Sequence, residues 1–230
     1  MSQGVLYGVG VGPGDPELLT LKALRIIESC PVIAAPQTAS GGTLALDIVR
    51  GQVDLSDKEI LPLHFAMSRD PAVLQNSHAA ATALLIERLR AGQDVAMLNL
   101  GDVSIYATFH YMKGAVEAAG YSAVMIPGVP SFCAVAAVLG ENLTPQMNTP
   151  LHIVPAAFED LEATLNFPGT KVIMKAGRPL AQVKKTLRRA GLYHKAKLVQ
   201  NCGLADQQVA HTLDEAEENG GYFTTMVVKS

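Results

Sequence analysis

Val5-Leu6-Tyr7-Gly8-Val9-Gly10-Val11-Gly12-Pro13-Gly14-Asp15-Pro16 decides how this chain is read. A short apolar run meets a glycine-rich turn, and a helix-like segment over 17–29 follows at once. Glycine has no side chain to hold a ligand away from the backbone. The familiar nucleotide motifs fail on spacing. A G-x-G-x-x-G fingerprint starting at Gly8 meets Pro13, and one starting at Gly10 meets Asp15. No Gly-Lys pair occurs, so a phosphate-binding P-loop is absent. The stretch reads as a strand–loop–helix entry to an α/β domain with a loop of another kind.

Composition bounds the rest. The 230 residues are 49% hydrophobic and 17% charged, which suits a packed α/β protein and excludes a disordered chain. A net charge of −3 gives no global basic field for nucleic acid. Cys30, Cys133 and Cys202 stand far apart, forming neither a disulfide framework nor a metal pattern, which fits a reducing cytoplasm. The six histidines show no H-x-x-x-H pair, so no protein metal site is expected. The opening residues lack a signal-peptide pattern. The uncharged stretch 121–140 matches a membrane span in length but carries Pro127, Gly128 and Pro130. It reads as a strand, a turn and an apolar helix, and no membrane association is expected.

Strand candidates are 5–9, 32–35, 95–98 and 123–126. Helix candidates are 17–29, 44–51, 73–91, 106–119 and 132–139. This alternation implies a mostly parallel sheet, whose ligands bind beyond the carboxyl ends of the strands. The proline-bearing stretch 142–150 is the candidate linker, dividing the chain into 1–145 and 146–230. The second block holds strands at 151–155, 171–175, 197–201 and 222–229, and helices at 159–165 and 180–190. Segments 170–175 and 225–229 read as neighbours in a second sheet.

Three loops follow strand candidates: Gly10-Val11-Gly12-Pro13-Gly14-Asp15-Pro16, Leu100-Gly101-Asp102-Val103-Ser104-Ile105-Tyr106, and Pro127-Gly128-Val129-Pro130-Ser131-Phe132. A parallel sheet puts all three on one edge. In this order they resemble the tetrapyrrole methylases, the class III S-adenosylmethionine (SAM)-dependent methyltransferases. Gln200-Asn201-Cys202-Gly203 and the Gln208-Val209 and Thr212-Leu213 pairs extend the resemblance over essentially the whole chain. It implies an α/β fold of two domains, each a mixed sheet flanked by helices, with a ligand cleft between the domains. It also implies a homodimer in the cytoplasm and SAM as methyl donor, leaving S-adenosylhomocysteine.

Leu61-Pro62-Leu63-His64-Phe65-Ala66-Met67-Ser68-Arg69-Asp70 and the second and third loops resemble the branch that methylates C20 of precorrin-2 or cobalt-factor II in cobalamin synthesis. Leu100, Val103 and Pro130 depart from the Gly-Gly-Asp-Pro and Pro-Gly-Ile-Thr of uroporphyrinogen-III methylation. A corrin-ring methylase acting at another carbon, a non-corrinoid class III methyltransferase and a SAM-binding regulatory module remain alternatives.

The resemblance also assigns residues. Leu100, Gly101 and Asp102 would contact the methionine part of SAM, with Pro13, Ile105 and Tyr106 nearby. A carboxylate suits ammonium and sulfonium charges, though Asp102 could equally be a turn residue capping a helix. Pro130 and Ser131 align with a small-residue contact, and Ser131 could also be a helix N-cap. Ala156, Met174, Lys175, Asn201, His211 and Thr225 fall near adenosine-contact positions, with Met174 also readable as core. Gly12, Pro13, Gly14 and Asp15 would line a substrate trough, where Asp15 could instead cap the first helix. His64, Arg69, Lys175 and Arg178 are candidate rim groups for the carboxylates of a tetrapyrrole. Tyr106 and His64 are candidates for accepting the bridging-carbon proton. Lys184, Lys185, Arg188 and Arg189 read as an exposed helix face.

Overall fold

Strand β1 (Val5–Gly10) alternates between two cores. Leu6 points into one, while Tyr7 and Val9 point into the other. The same period of two runs through β2 (Val32–Gln37) and β4 (Val95–Asn99). Val32, Ala34, Val95 and Met97 join Leu6, whereas Ile33, Ala35, Ala96 and Leu98 join Val9. A sheet apolar on both faces must be covered on both. Helices α1 (Leu21–Ser29) and α2 (Leu44–Arg50) cover the Val9 face. Helices α3 (Pro71–Arg90) and α4 (Phe109–Ala118) cover the Leu6 face. Phe109 is fully buried there, its ring in the space a Cβ on Gly8 would take. Burying such a side chain stabilises the fold by about 1.5–3 kcal/mol.

The computed structural model describes residues 3–37, 42–66, 68, 70–216 and 221–229. With β3 (Glu59–His64) and β5 (Ser122–Ile126), the first sheet has the order β3-β2-β4-β1-β5 and is parallel throughout. The β5–turn–helix reading of 121–140 holds, with α5 at Ser131–Leu139. Among the described residues no helix is long and apolar enough to cross a membrane.

The second sheet is the mixed one. Its strands are β6 (Leu151–Pro155), β7 (Thr170–Met174), β8 (Ala196–Gln200), β9 (Gln208–Ala210) and β10 (Thr224–Val228), in the order β6-β7-β10-β8-β9. Only β6 and β7 are parallel; β10 runs antiparallel between β7 and β8, so 170–175 and 225–229 are neighbours as expected. Helices α6 (Leu161–Leu165) and α7 (Leu180–Arg189) bury their apolar side against Ile173, Leu198 and Met226. The expected basic face of α7 is not wholly exposed. Lys184 is buried with its Nζ donating to the Ala216 carbonyl at 3.1 Å, and the Arg188 guanidinium lies over the Tyr193 ring at 4.1 Å.

Three local expectations change. The helix expected over 17–29 is broken into a 3-10 turn, Pro16–Leu18, and α1. The Thr20 hydroxyl accepts from Ala23 N at 3.1 Å and so starts a new helix. The helix expected from Tyr106 begins at Phe109. The chain divides into units 1–130 and 131–230, so α5 belongs to the second unit rather than to 1–145. Helix α5 lies against β8 and β10, and just after it Glu141 pairs with Lys197 at 2.7 Å and Lys229 at 3.1 Å.

Candidate functional site

The three loops expected on one edge do meet, and they meet through backbone. Val11 N donates to the Asn99 carbonyl at 2.9 Å. Gly12 and Gly101 then exchange both backbone hydrogen bonds, at 3.2 and 2.7 Å. Both have positive φ, +79° and +72°, which glycine adopts without steric cost. A Cβ on Gly10 would stand 2.6 Å from Gly128 N and 2.7 Å from the Gly101 carbonyl oxygen. The glycines at 10, 101 and 128 therefore bring the loops against one another, a role the ligand-approach reading did not include.

Asp102 locks the junction. Its Oδ1 accepts from Ser104 N at 2.8 Å and from the Ser104 hydroxyl, and its Oδ2 accepts from Gly128 N at 2.8 Å. The carboxylate is buried. Burial alone raises its pKa, but the bonds from Ser104 and Gly128 prevail and hold it below the usual carboxylate value. The helix-cap reading is not what is observed, because α4 starts only at Phe109. Asp102 is a tie between the β4 and β5 loops that keeps a negative charge at the carboxyl edge of the sheet.

Backbone strain marks the same candidates. Among the described residues, the non-glycine positions with positive φ are Tyr106 (+49°), Lys175 (+59°) and Asn201 (+51°). All three carry family-derived cofactor assignments. Such conformations cost about 1–3 kcal/mol each and persist where surrounding structure enforces them. Lys175 follows β7 directly and Asn201 follows β8 directly. The Asn201 amide is held by Asp206, Nδ2 to Oδ2 at 2.7 Å, and the Lys175 ammonium lies 5.2 Å from the Tyr222 ring centre.

In the second unit one edge gathers four of the expected positions. Pro155 pairs with Met174, Met174 with Thr225, and Thr224 with Gln200. Past those pairs, Ala156 N donates to the Met174 carbonyl at 2.8 Å and Asn201 N to the Phe223 carbonyl at 2.9 Å. Ala156, Lys175, Thr225 and Asn201 thus span neighbouring strands over about 14 Å. Met174 is half-buried on the same edge, and Arg178 is exposed in the loop after β7.

His211 is the exception. Strand β9 runs away from that edge, pairing Gln208 with Gln200 but Ala210 with Leu198, so His211 heads toward the opposite end of the sheet. Its N–H donates to Glu215 Oε2 at 2.9 Å, so its backbone is held in a turn apart from the other four positions.

The remaining candidates fall as follows. Gly12, Pro13 and Gly14 are buried, and Leu100 packs against the Val9 core. Asp15 caps the 3-10 turn through Glu17 N at 2.9 Å, the alternative its sequence allowed. Ile105 N donates to the Asp102 carbonyl at 3.4 Å. Pro130 ends the first unit, and Ser131 is the first residue of α5 rather than the residue before it. His64 ends β3 and is exposed on the same carboxyl edge as the three loops. With β2 and β4 intervening, it sits about 14 Å from β1. Arg69 lies outside the described residues. Among those described, no group of three His, Cys, Asp or Glu side chains is arranged to hold a metal ion. Sequence reasoning missed Ser104, Gly128 and Asp206 as supports. Only the Asp-x-Ser spacing of 102 and 104, a common side-chain turn, was a readable sign.

The chain is similar to known proteins. The family description "Tetrapyrrole (Corrin/Porphyrin) Methylases" matches residues 5–217. The cobalt-precorrin-2 C(20)-methyltransferase of Salmonella typhimurium is 31% identical over 98% of this chain and 96% of that protein. The cobalamin biosynthesis protein CobIJ of Mycobacterium tuberculosis is 29% identical over 97% of this chain, which spans 45% of CobIJ. Among solved structures, uroporphyrin-III C-methyltransferase from Thermus thermophilus, complexed with S-adenosylhomocysteine, has a TM-score of 0.73. It is 23% identical, with coverage of 99% of this chain and 98% of that one, a likeness of fold.

Proposed function

This chain belongs to the tetrapyrrole methylases, and from that premise we propose that it transfers a methyl group from SAM to C20 of precorrin-2 or cobalt-factor II in cobalamin biosynthesis. The single observation that supports the reading is that the Asp102 junction and the three left-handed residues fall at positions the family resemblance assigns to the cofactor. The near-complete overlap with a protein named for C20 methylation favours that carbon.

The residues fit a sulfonium donor. Asp102 keeps its negative charge in a buried setting, where attraction for an ammonium or sulfonium is stronger than in water. Bound SAM supplies a methyl group on a positively charged sulfur, already a good electrophile. The protein's part is to orient it. The loop glycines fix the backbone at the carboxyl edge, and Lys175 and Asn201 turn the second sheet's edge away from the strand ladder. Holding reactants in line supplies up to about 7–11 kcal/mol of a barrier in favourable systems. Lys175, Arg178 and His64 are the described cations or donors suited to the substrate's carboxylates. Tyr106 and His64 are the candidates for accepting the proton lost from the bridging carbon. Homodimerisation and a cytoplasmic setting belong to the same proposal.

The test is a methyl-transfer assay with labelled SAM, offering precorrin-2 and cobalt-factor II in parallel and counting methyl groups by mass. One methyl added to either supports the reading, and the preferred substrate tells which form is used. S-adenosylhomocysteine binding without transfer to either would reject it in favour of another acceptor or a regulatory role.

A further inference from the structure

We infer that Ser104 is a positioning residue for the methyl donor, fixing the orientation and charge of the Asp102 carboxylate through its hydroxyl and its backbone N–H. The inference deepens the SAM-site reading and rests on it. Ser104 contributes two of the three hydrogen bonds that hold the carboxylate, both to Oδ1. The third comes from Gly128 N and reaches Oδ2. No ion pair to Asp102 exists among the described residues. Its titration is shifted by burial and by these hydrogen bonds. Hydrogen bonds alone therefore offset the cost of burying this charge.

The backbone bond from Ser104 survives any side-chain change, but the hydroxyl bond does not. Without it, Oδ1 keeps one partner, the protonated carboxyl becomes easier to form, and the torsion about the carboxylate is freer. Ser104 itself is exposed, so its removal leaves no cavity. Its effect on ligand binding is separable from an effect on folding.

The experiment compares wild type, Ser104→Ala, Ser104→Thr and Asp102→Asn. Calorimetry reads S-adenosylhomocysteine affinity from pH 8 down to the onset of acid unfolding, and carbon-13 NMR of the carboxyl follows Asp102 over the same range. The expected result for Ser104→Ala is a several-fold weaker affinity at neutral pH, an Asp102 titration displaced upward and an acid limb of binding displaced with it. Ser104→Thr, which keeps a hydroxyl, restores both; the unfolding midpoint of Ser104→Ala falls modestly, as the raised titration requires, while the chain remains folded at the temperature of the binding measurement. Wild-type titration and affinity in Ser104→Ala would overturn the inference. So would an upward titration with unaltered affinity. Undiminished binding in Asp102→Asn would overturn the SAM-site reading itself and the role of Ser104 with it, so the two failures are distinguishable.

Discussion

Asp102 and Gly128, 26 residues apart, are joined by a 2.8 Å hydrogen bond from the Gly128 N–H to Asp102 Oδ2. It ties the loop after β4 to the loop after β5, strands separated in the sheet by β1. Replacing Asp102 with Ala removes this bond and both bonds from Ser104. Bonds to charged groups contribute about 1.5–3 kcal/mol each, and losses within one network are not additive. A destabilisation of about 2–3 kcal/mol is expected in denaturant unfolding. S-adenosylhomocysteine binding should fall with it and should not recover when the variant is folded at low temperature.

The same group sets an acid dependence. Its folded pKa lies below the ordinary value of 3.8, against burial, because of the bonds from Ser104 and Gly128. Its stabilisation is complete above the ordinary value and fades as pH falls through the lower folded value. Wild type should therefore lose more stability than Asp102→Asn between about pH 4 and pH 2. Parallel acid curves would contradict the assignment.

Two glycines make an internally controlled pair. A Cβ on Gly10 would press on Gly128 N at 2.6 Å, whereas a Cβ on Gly114 in α4 meets nothing within 4 Å. Gly10→Ala should destabilise by about 1–3 kcal/mol through overpacking. Gly114→Ala should stabilise by about 0.5–1 kcal/mol through helix propensity. Thermal unfolding of the two variants checks both signs.

Tyr106 is half-exposed and left-handed, so its side chain contributes little burial while its backbone carries strain. Tyr106→Gly should match or exceed wild-type thermal stability while kcat/KM falls about tenfold or more. A variant with both properties unchanged would remove Tyr106 from the site.

Much of this was legible in the chain. The continuous apolar runs of β1 and β4 gave buried parallel strands, and their glycine-bearing exits put the three loops on one edge. Strand β3 was missed because it is an edge strand carrying Pro62, with Glu59, Pro62 and His64 exposed. Strand β9 is too short to show a period. Helix α5 is apolar all round, so its sequence does not say which sheet it covers; its packing on β8 and β10 in the folded chain does. The left-handed turns at Lys175 and Asn201 were invisible because non-glycine residues rarely adopt them. The separation of His211 from the other four positions was not legible because it depends on the β9 register, which only the folded strand pairing supplies.

Lys171 gives a prediction independent of the site. It lies fully buried on β7, and its Nζ has no hydrogen-bond partner among the described residues. Burial, and then the nearby Lys195 charge, lowers its pKa from the ordinary 10.5. The unfolded chain therefore binds more protons than the folded one between the two values, and stability rises with pH across that window. Lys171→Met should flatten the slope and stabilise by about 1–3 kcal/mol below it. Unchanged pH dependence of the unfolding midpoint would show that Lys171 has a partner.

The most direct measurement of the central claim is carbon-13 NMR of the product formed from ¹³C-methyl SAM with precorrin-2 or cobalt-factor II. A single enriched methyl on C20 is the predicted result, lost in Asp102→Asn. Enrichment at any other carbon would contradict the C20 reading, and enrichment undiminished in Asp102→Asn would contradict the site.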